Sequence, residues 1–257
     1  MNFNSTKADL VLKYPPIMDW TSEEVKFIPE FRKRVSDLND EEMTSDETLI
    51  RFFRARDGDL DKAETMLRKS AKWFWDNNVL SYRTGGRLPP SILTDDFAVQ
   101  VLGTDFEGYP VIYTPIGRWN IRDRINDGYL EEIMQGRFYS LEGVIMKAVR
   151  DSGMGQFVCI LDLEEVSFYK VAHVETINVI KKFLQDLQDN YPERVRSAHM
   201  VNAHWILSYI LTLFKPYVSN KTLDKVIVYD GNKSKYLSHL KTHIPAEILP
   251  VTLANLK

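Results

Sequence analysis

The chain has 257 residues, 44% of them hydrophobic and 27% charged, and a formal net charge of −3. That balance describes a folded globular chain, and it argues against a disordered protein or a nucleic-acid binder with its basic stripe. The single cysteine, Cys159 in the apolar run QFVCIL, excludes an internal disulfide and a cysteine-based zinc site, and reads as a small buried hydrophobe.

The opening MNFNSTKADL shows no basic flank followed by an apolar stretch, so no signal peptide is visible. No apolar run approaches the roughly 20 residues that cross a bilayer, and the expected location is the cytoplasm. The first third reads as a small helical bundle. TSEEVKFIPEF carries a capping box in Thr21 and Glu24, and TSDETLIRFFRAR repeats it with Thr44 and Glu47. In GDLDKAETMLRKSAKWFWDNN, Asp59 is the expected N-cap, and Ala63, Met66, Leu67, Ala71 and Phe74 share a face.

The Gly- and Pro-rich TGGRLPPSIL marks a linker, after which FAVQVLG, YPVIYTPIG, QFVCILDL, AHMVN and KVIVYD read as short strands. TDFEGYPVIY predicts a hairpin, so the first two strands are expected to be antiparallel. The later strand–helix order predicts parallel pairs. HVETINVIKKFLQDLQDNY predicts a helix with Val174, Ile177, Ile180, Leu184 and Leu187 on one face.

A search for chemistry returns little. No phosphate loop, dinucleotide fingerprint or nucleophile elbow follows any strand. His239 and His243 lie four apart without a third ligand, so no metal site is expected. Asp162, Glu164 and Glu165 stand at a strand end, where capping explains them as well as catalysis does. What stands out is AHWILSYILTLFKPYVS, Ala203 to Ser219, with no charge between His204 and Lys215. A helix apolar all round is a core helix, or it meets something apolar other than its own core.

Two stretches carry a family likeness. ETLIRFFRARDGDLDKAETMLRKSAKWF resembles the N-terminal helical region of the CRAL-TRIO lipid-transfer family. NYPERVRSAHMVNAHWILSYILTLFKPYVSNKTLDKVIVYDGN resembles that family's lipid-binding domain, with its YPE and FKP landmarks, and IPAEILP holds the closing position. The likeness runs from Ser22 to Val251. It implies an α/β fold: a helical region over 1–80, then a CRAL-TRIO domain over 81–257. The domain is a mixed, mostly parallel sheet of about five strands flanked by helices, with a hydrophobic cavity under a gate helix.

The resemblance further implies a non-enzymatic carrier of one hydrophobic ligand, with no cofactor beyond a bound phospholipid or isoprenoid-type lipid. Its partners would be that lipid and, transiently, a membrane surface; no nucleic acid is expected, and the chain is expected to be monomeric. Tyr113, Phe157, Ser167, Tyr169, Trp205, Tyr209 and Phe214 are the expected cavity lining, and Trp205, Ile206, Ile210, Leu213 and Phe214 the gate. By likeness to the yeast phosphatidylinositol transfer protein, Arg56, Glu193, Arg194, Thr222 and Lys225 match a headgroup site, but Asp57 replaces a lysine. Tyr169 likewise replaces a small hydroxyl of that protein's phosphocholine site. TDFEGYPVIYTPIG and FKPYVSNKT are similar to the supernatant protein factor branch, whose proposed ligands include tocopherol, squalene and phospholipids; carriage of a non-phospholipid such as tocopherol, squalene, retinoid or carotenoid is one alternative. A lipid-sensing module without bulk transfer is the other alternative, and an α/β enzyme on a hydrophobic substrate is the remaining one. Arg196, and Ala254 with Asn255, stand where relatives carry glycines, so a gate hinge is expected elsewhere.

Overall fold

The computed structural model describes residues 17–86, 91, 94, 96–203, 206–229 and 231–254, so most of the expected linker, together with His204, Trp205 and Asn255, lies outside the described residues. Helix α1 (Ser22–Arg34) starts with the capping box expected for it. Thr21 Oγ1 accepts from the Glu24 amide at 3.1 Å, and the Glu24 carboxylate accepts from the Thr21 amide at 2.8 Å. The second box does not form: Ser45, not Thr44, caps α2 (Asp46–Ala55), accepting from the Thr48 amide. Glu47 is thereby free to pair with Arg51 and Arg194. Asp59 caps α3 (Leu60–Asp76) through the Lys62 amide, and Ala63, Met66, Leu67, Ala71 and Phe74 are all buried.

These helices share their core with the rest of the chain. Phe31, Leu49, Phe52 and Phe74 belong to one buried cluster with Ile112, Phe138, Phe157 and Tyr191. Side chains of this size contribute about 1.5–3 kcal/mol each when fully buried, so the helical region is held to the sheet chiefly by apolar contact.

The sheet has five strands, β1 (Gln100–Thr104), β2 (Pro110–Thr114), β3 (Phe157–Asp162), β4 (Val195–Val201) and β5 (Val226–Val228), side by side in chain order. The hairpin β1–β2 is antiparallel and the other pairs are parallel, as the motif order predicts. Asp105 makes the hairpin turn, its carboxylate accepting from the Glu107 and Tyr109 amides at 2.9 Å each.

From β2 onward the strands step in one direction. Right-handed crossovers then place every connecting segment on the same face. They include α4 (Leu130–Phe138), the π-helical Tyr139–Ile145 and α5 (Met146–Ser152); then α6 (Phe168–Val171) and α7 (Val174–Asn190); then α8 (Leu207–Phe214) and α9 (Asn220–Leu223). The reverse face is closed by α10 (Lys233–Leu240) and the residues after it, where Val111, Val158, Ile160 and Val201 pack with Tyr236, Leu237, Leu240 and Leu249. Among the described residues no helix is long and apolar enough to cross a membrane.

His199 pairs with Ile160 and so shares the reverse face. Its ring stacks on Tyr229, with Nδ1 3.0 Å from the Tyr229 hydroxyl and Nε2 3.1 Å from the Ser197 hydroxyl. His239 and His243 follow with ring centroids 5.1 Å apart, and no group of three metal-ligating side chains is placed to hold a metal among the described residues.

Burial first, and the neighbouring His239 and His243 second, hold the His199 pKa down at about 3. The unfolded chain therefore takes up this proton near pH 6.5, before the folded chain can. The stability is complete above pH 6.5 and is lost as pH falls toward 3, at about 1.4 kcal/mol per pH unit. Denaturant titrations from pH 7 to pH 5 should show about 2 kcal/mol more loss for the wild type than for His199→Gln. A second prediction concerns the turn after β2. A Cβ on Gly117 would lie 2.1 Å from the Glu164 carbonyl oxygen, a backbone atom that cannot swing aside. Gly117→Ala should cost about 3 kcal/mol in the same assay.

Candidate functional site

The crossover face of the sheet is unevenly covered. Thr114, Leu161 and Met200 lie in register across β2, β3 and β4, and Ile112, Cys159 and Ala198 lie in register two residues earlier. Phe157 and Ile112 are sealed in the large core. Beyond them Cys159, Leu161, Val226 and Val228 keep accessible surface, whereas Val158 and Ile160, on the same central strand but the reverse face, are at most 3% exposed. Cys159 is thus not the sealed hydrophobe expected from QFVCIL. Desolvation pushes its thiol up to about 12, which marks a deep position, yet the residue remains only part-buried.

Helix α7 shows the same inversion. Its expected inner stripe is half-buried at Ile177, Ile180, Leu184 and Leu187, and Val174 is exposed. The residues it buries are Thr176, Val179, Asp186 and Asn190. The polar ones among them are supported: Asp186 pairs with Arg137 of α4 and, at 3.0 Å, with Lys182, and its carbonyl accepts from Asn190 Nδ2. In α8, Leu207, Tyr209, Ile210, Leu211 and Leu213 are all part-buried, between the buried Ile206 and Phe214. The helix rests on its neighbours through rings. Tyr209 meets Phe168 of α6 at 5.5 Å, and just beyond α8 Lys181 lies over the Tyr217 ring at 4.6 Å.

Of the expected lining, Phe157, Tyr209 and Phe214 lie on the crossover side, and Ser167 caps α6 beside Phe168 by accepting from the Lys170 amide. Two residues do not join them. Tyr113 pairs with Ile160, so strand alternation turns it to the reverse face, where its hydroxyl donates to Asp162 at 2.8 Å. Tyr169 is on the surface, its hydroxyl donating to Asp123 and its ring 4.1 Å from the Arg122 guanidinium carbon. Trp205 lies outside the described residues. Cys159, Leu161, Val226 and Val228, part-buried on the crossover face, were not among the expected residues. Strand alternation groups them on one face, but it does not say which face keeps accessible surface.

The expected headgroup residues divide into two groups. Lys225, 3% exposed, donates to Glu193 at 3.0 Å. Thr222 and Ser219 both reach Gln188 of α7, and Lys221 pairs with Asp57 at 2.6 Å and donates to the Arg54 carbonyl. Arg56 is half-buried at the end of α2, donating to the Ala55 carbonyl. Arg194 points elsewhere: buried, it donates to the Gly155 carbonyl at 2.7 Å and pairs with Glu47. The three carboxylates at the end of β3 are likewise spoken for in part, Asp162 accepting from Tyr113, Asn202 and the Glu164 amide, and Glu164 pairing with Arg118.

The CRAL/TRIO domain profile matches residues 95–253, and that of the CRAL/TRIO N-terminal domain matches residues 28–69. The chain belongs to the CRAL/TRIO family. Sec14-like members of this family bind and transfer lipids. The SEC14 cytosolic factor of Eremothecium gossypii is 28% identical over 238 residues, 90% of this chain and 76% of its own length. Patellin-4 of Arabidopsis thaliana is 28% identical over 221 residues, 83% of this chain but 38% of its own length. The crystal structure of Sfh5 has the same fold, with a TM-score of 0.68 and 16% identity over 85% of this chain and 84% of that one.

The YPER stretch of this CRAL/TRIO chain works as a junction. The Tyr191 ring packs edge-on against Trp73 and Phe74, the Pro192 carbonyl accepts from Arg51, Glu193 holds Lys225, and Arg194 holds Glu47. Removing one partner of the enclosed Glu193–Lys225 pair leaves a buried charge. Glu193→Ala should therefore cost about 3 kcal/mol in chemical denaturation, and adding Lys225→Met should recover most of that loss.

Proposed function

We propose that this chain holds one hydrophobic lipid molecule between the crossover face of the sheet and helices α7 and α8, and carries or presents it between membranes. The supporting observation is Cys159: deep enough for desolvation to move its thiol strongly, yet carrying accessible surface on the central strand. An enclosed space over β3 accounts for both, and the half-buried apolar stripes of α7 and α8 are what would line its roof. Each buried CH₂ of a ligand contributes about 0.8 kcal/mol, so retention needs a matched cavity and no covalent step or cofactor. Helix α8 is the gate in this reading. Uncharged, with Ser208 and Thr212 as its exposed residues, it can face ligand when closed and acyl chains when displaced, and its part-exposed outer surface fits transient membrane contact from the cytosol.

The ligand's polar end would meet Lys225, Thr222, Lys221 and Arg56. Lys225 and Lys221 already hold Glu193 and Asp57, so an anionic headgroup must displace a carboxylate to reach either. That competition favours a ligand with an uncharged end, such as an isoprenoid, over a phosphoinositide.

Native mass spectrometry of the protein purified from cells should show one bound lipid, identified after extraction. Filling the space with Cys159→Phe and Leu161→Trp should reduce the bound fraction at least tenfold while the melting temperature holds or rises. Only the apo mass in the wild type would sink the proposal. Vesicle-to-vesicle transfer measured beside lipid occupancy separates a carrier from a sensing module.

A further inference from the structure

The apolar helix α8 is held differently at its two ends. Before it, β4 ends at Val201 and the chain turns at Asn202, whose backbone is left-handed with φ 53°. The Asn202 side-chain amide donates to Asp162 at 2.8 Å, and its carbonyl oxygen accepts from the Tyr236 hydroxyl at 3.1 Å. Asp162 and Tyr236 are both buried. Tearing this end free would leave a buried carboxylate and a buried hydroxyl each short of a partner, which is costly.

After α8 the attachments are side chains nearer to water. The turn Lys215–Tyr217 brings the Tyr217 ring to Lys181, and the Ser219 amide donates to the Gln188 side chain at 3.0 Å. Lys221 of α9 then reaches α2, pairing with Asp57 at 2.6 Å and donating to the Arg54 carbonyl. The Asp57 side chain is 82% exposed and that of Lys221 34%. Lys221 first, with Arg56 and Lys62 behind it, holds the Asp57 carboxyl below the usual carboxylate range, so the pair is charged at neutral pH. Exposed pairs of this kind contribute little and are screened by salt. A lysine at position 57 would set like charge against Lys221, so this connection is particular to the chain.

We propose that α8 pivots at Asn202 and is latched at its other end by Lys221 on Asp57, so that opening begins beside α2. The consequence for lipid rests on α8 being the gate; the latch itself does not. Phe214, the buried residue at the latched end, leaves its side-chain neighbours in that motion and regains apolar surroundings only against ligand or acyl chains. Release of the latch therefore frays this end without holding it open.

The test is hydrogen exchange of the α8 and α9 amides in the full chain, measured beside loss of bound lipid to phosphatidylcholine vesicles. Lys221→Met and Asp57→Asn should each speed exchange over residues 207–223 about threefold, and the double variant should go no further than either one. Asn is chosen at position 57 because its φ is 54°, a conformation that Asp and Asn both tolerate. Raising sodium chloride from about 20 mM to about 0.5 M should speed the wild type to the same extent and leave Lys221→Met unchanged. The β4 amides should keep their protection throughout. Unchanged exchange in both single variants overturns the proposal, as does a double variant that multiplies their effects. Loss of protection at the Asn202 end before the Lys221 end overturns it too. Faster exchange with unchanged lipid loss sustains the latch and removes α8 as the gate.

Discussion

The handedness of the parallel crossovers governs the rest of this molecule. Because β2, β3, β4 and β5 advance in one direction, all three connections must return over the same face. That face carries the helices of all three crossovers as well as the N-terminal helices, whereas the reverse face has the short C-terminal helices. Near the start of the strands the coverage is dense, and Ile112 and Phe157 are sealed among aromatic rings. Toward their ends it falls to α7 and α8, which rest on each other's neighbours through Tyr209, Phe168 and Tyr217. Cys159, which packs against that cluster, and Leu161 and Val228 beyond it are only part-buried.

The same arrangement explains why the N-terminal helices are integral. They fill the dense end, and the polar junction beneath them works through residues far apart in sequence. Glu47 meets Arg194, and the Pro192 carbonyl meets Arg51, across more than a hundred residues of chain. Such pairs gain little net energy over an apolar contact, since desolvation offsets most of their attraction. Their consequence is register: a helix that slid along the sheet would leave buried charge unpaired. Lys221 makes a lighter connection of the same kind, holding Asp57 and the Arg54 carbonyl just after the apolar helix.

Much of this was legible in the residues. The five strands, the antiparallel hairpin, the caps at Thr21 and Asp59 and the inner face of α3 all follow from local rules, because hydrogen bonding and side-chain spacing decide them within a few residues. Family motifs carried the domain order. The failures are equally specific. Ser45, not Thr44, took the cap, and Glu47 pairs with Arg194, 147 residues further along the chain, instead of closing a capping box. Arg194, expected at a headgroup site, is instead buried against Glu47. Tyr113 and Tyr169 were grouped by motif, but strand alternation and Asp123 turned them away.

The sequence by itself determined the element order, the sheet's mixed pairing, the uncharged character of α8 and the absence of any enzyme motif, since each is a property of a short stretch. Tertiary structure alone decided which sheet face keeps accessible surface, which carboxylate each arginine meets and which half of α7 is buried. Those outcomes depend on what lies opposite in space. An apolar stripe reads the same in sequence whatever it faces, and only the packing around β3 decides how much of it is buried.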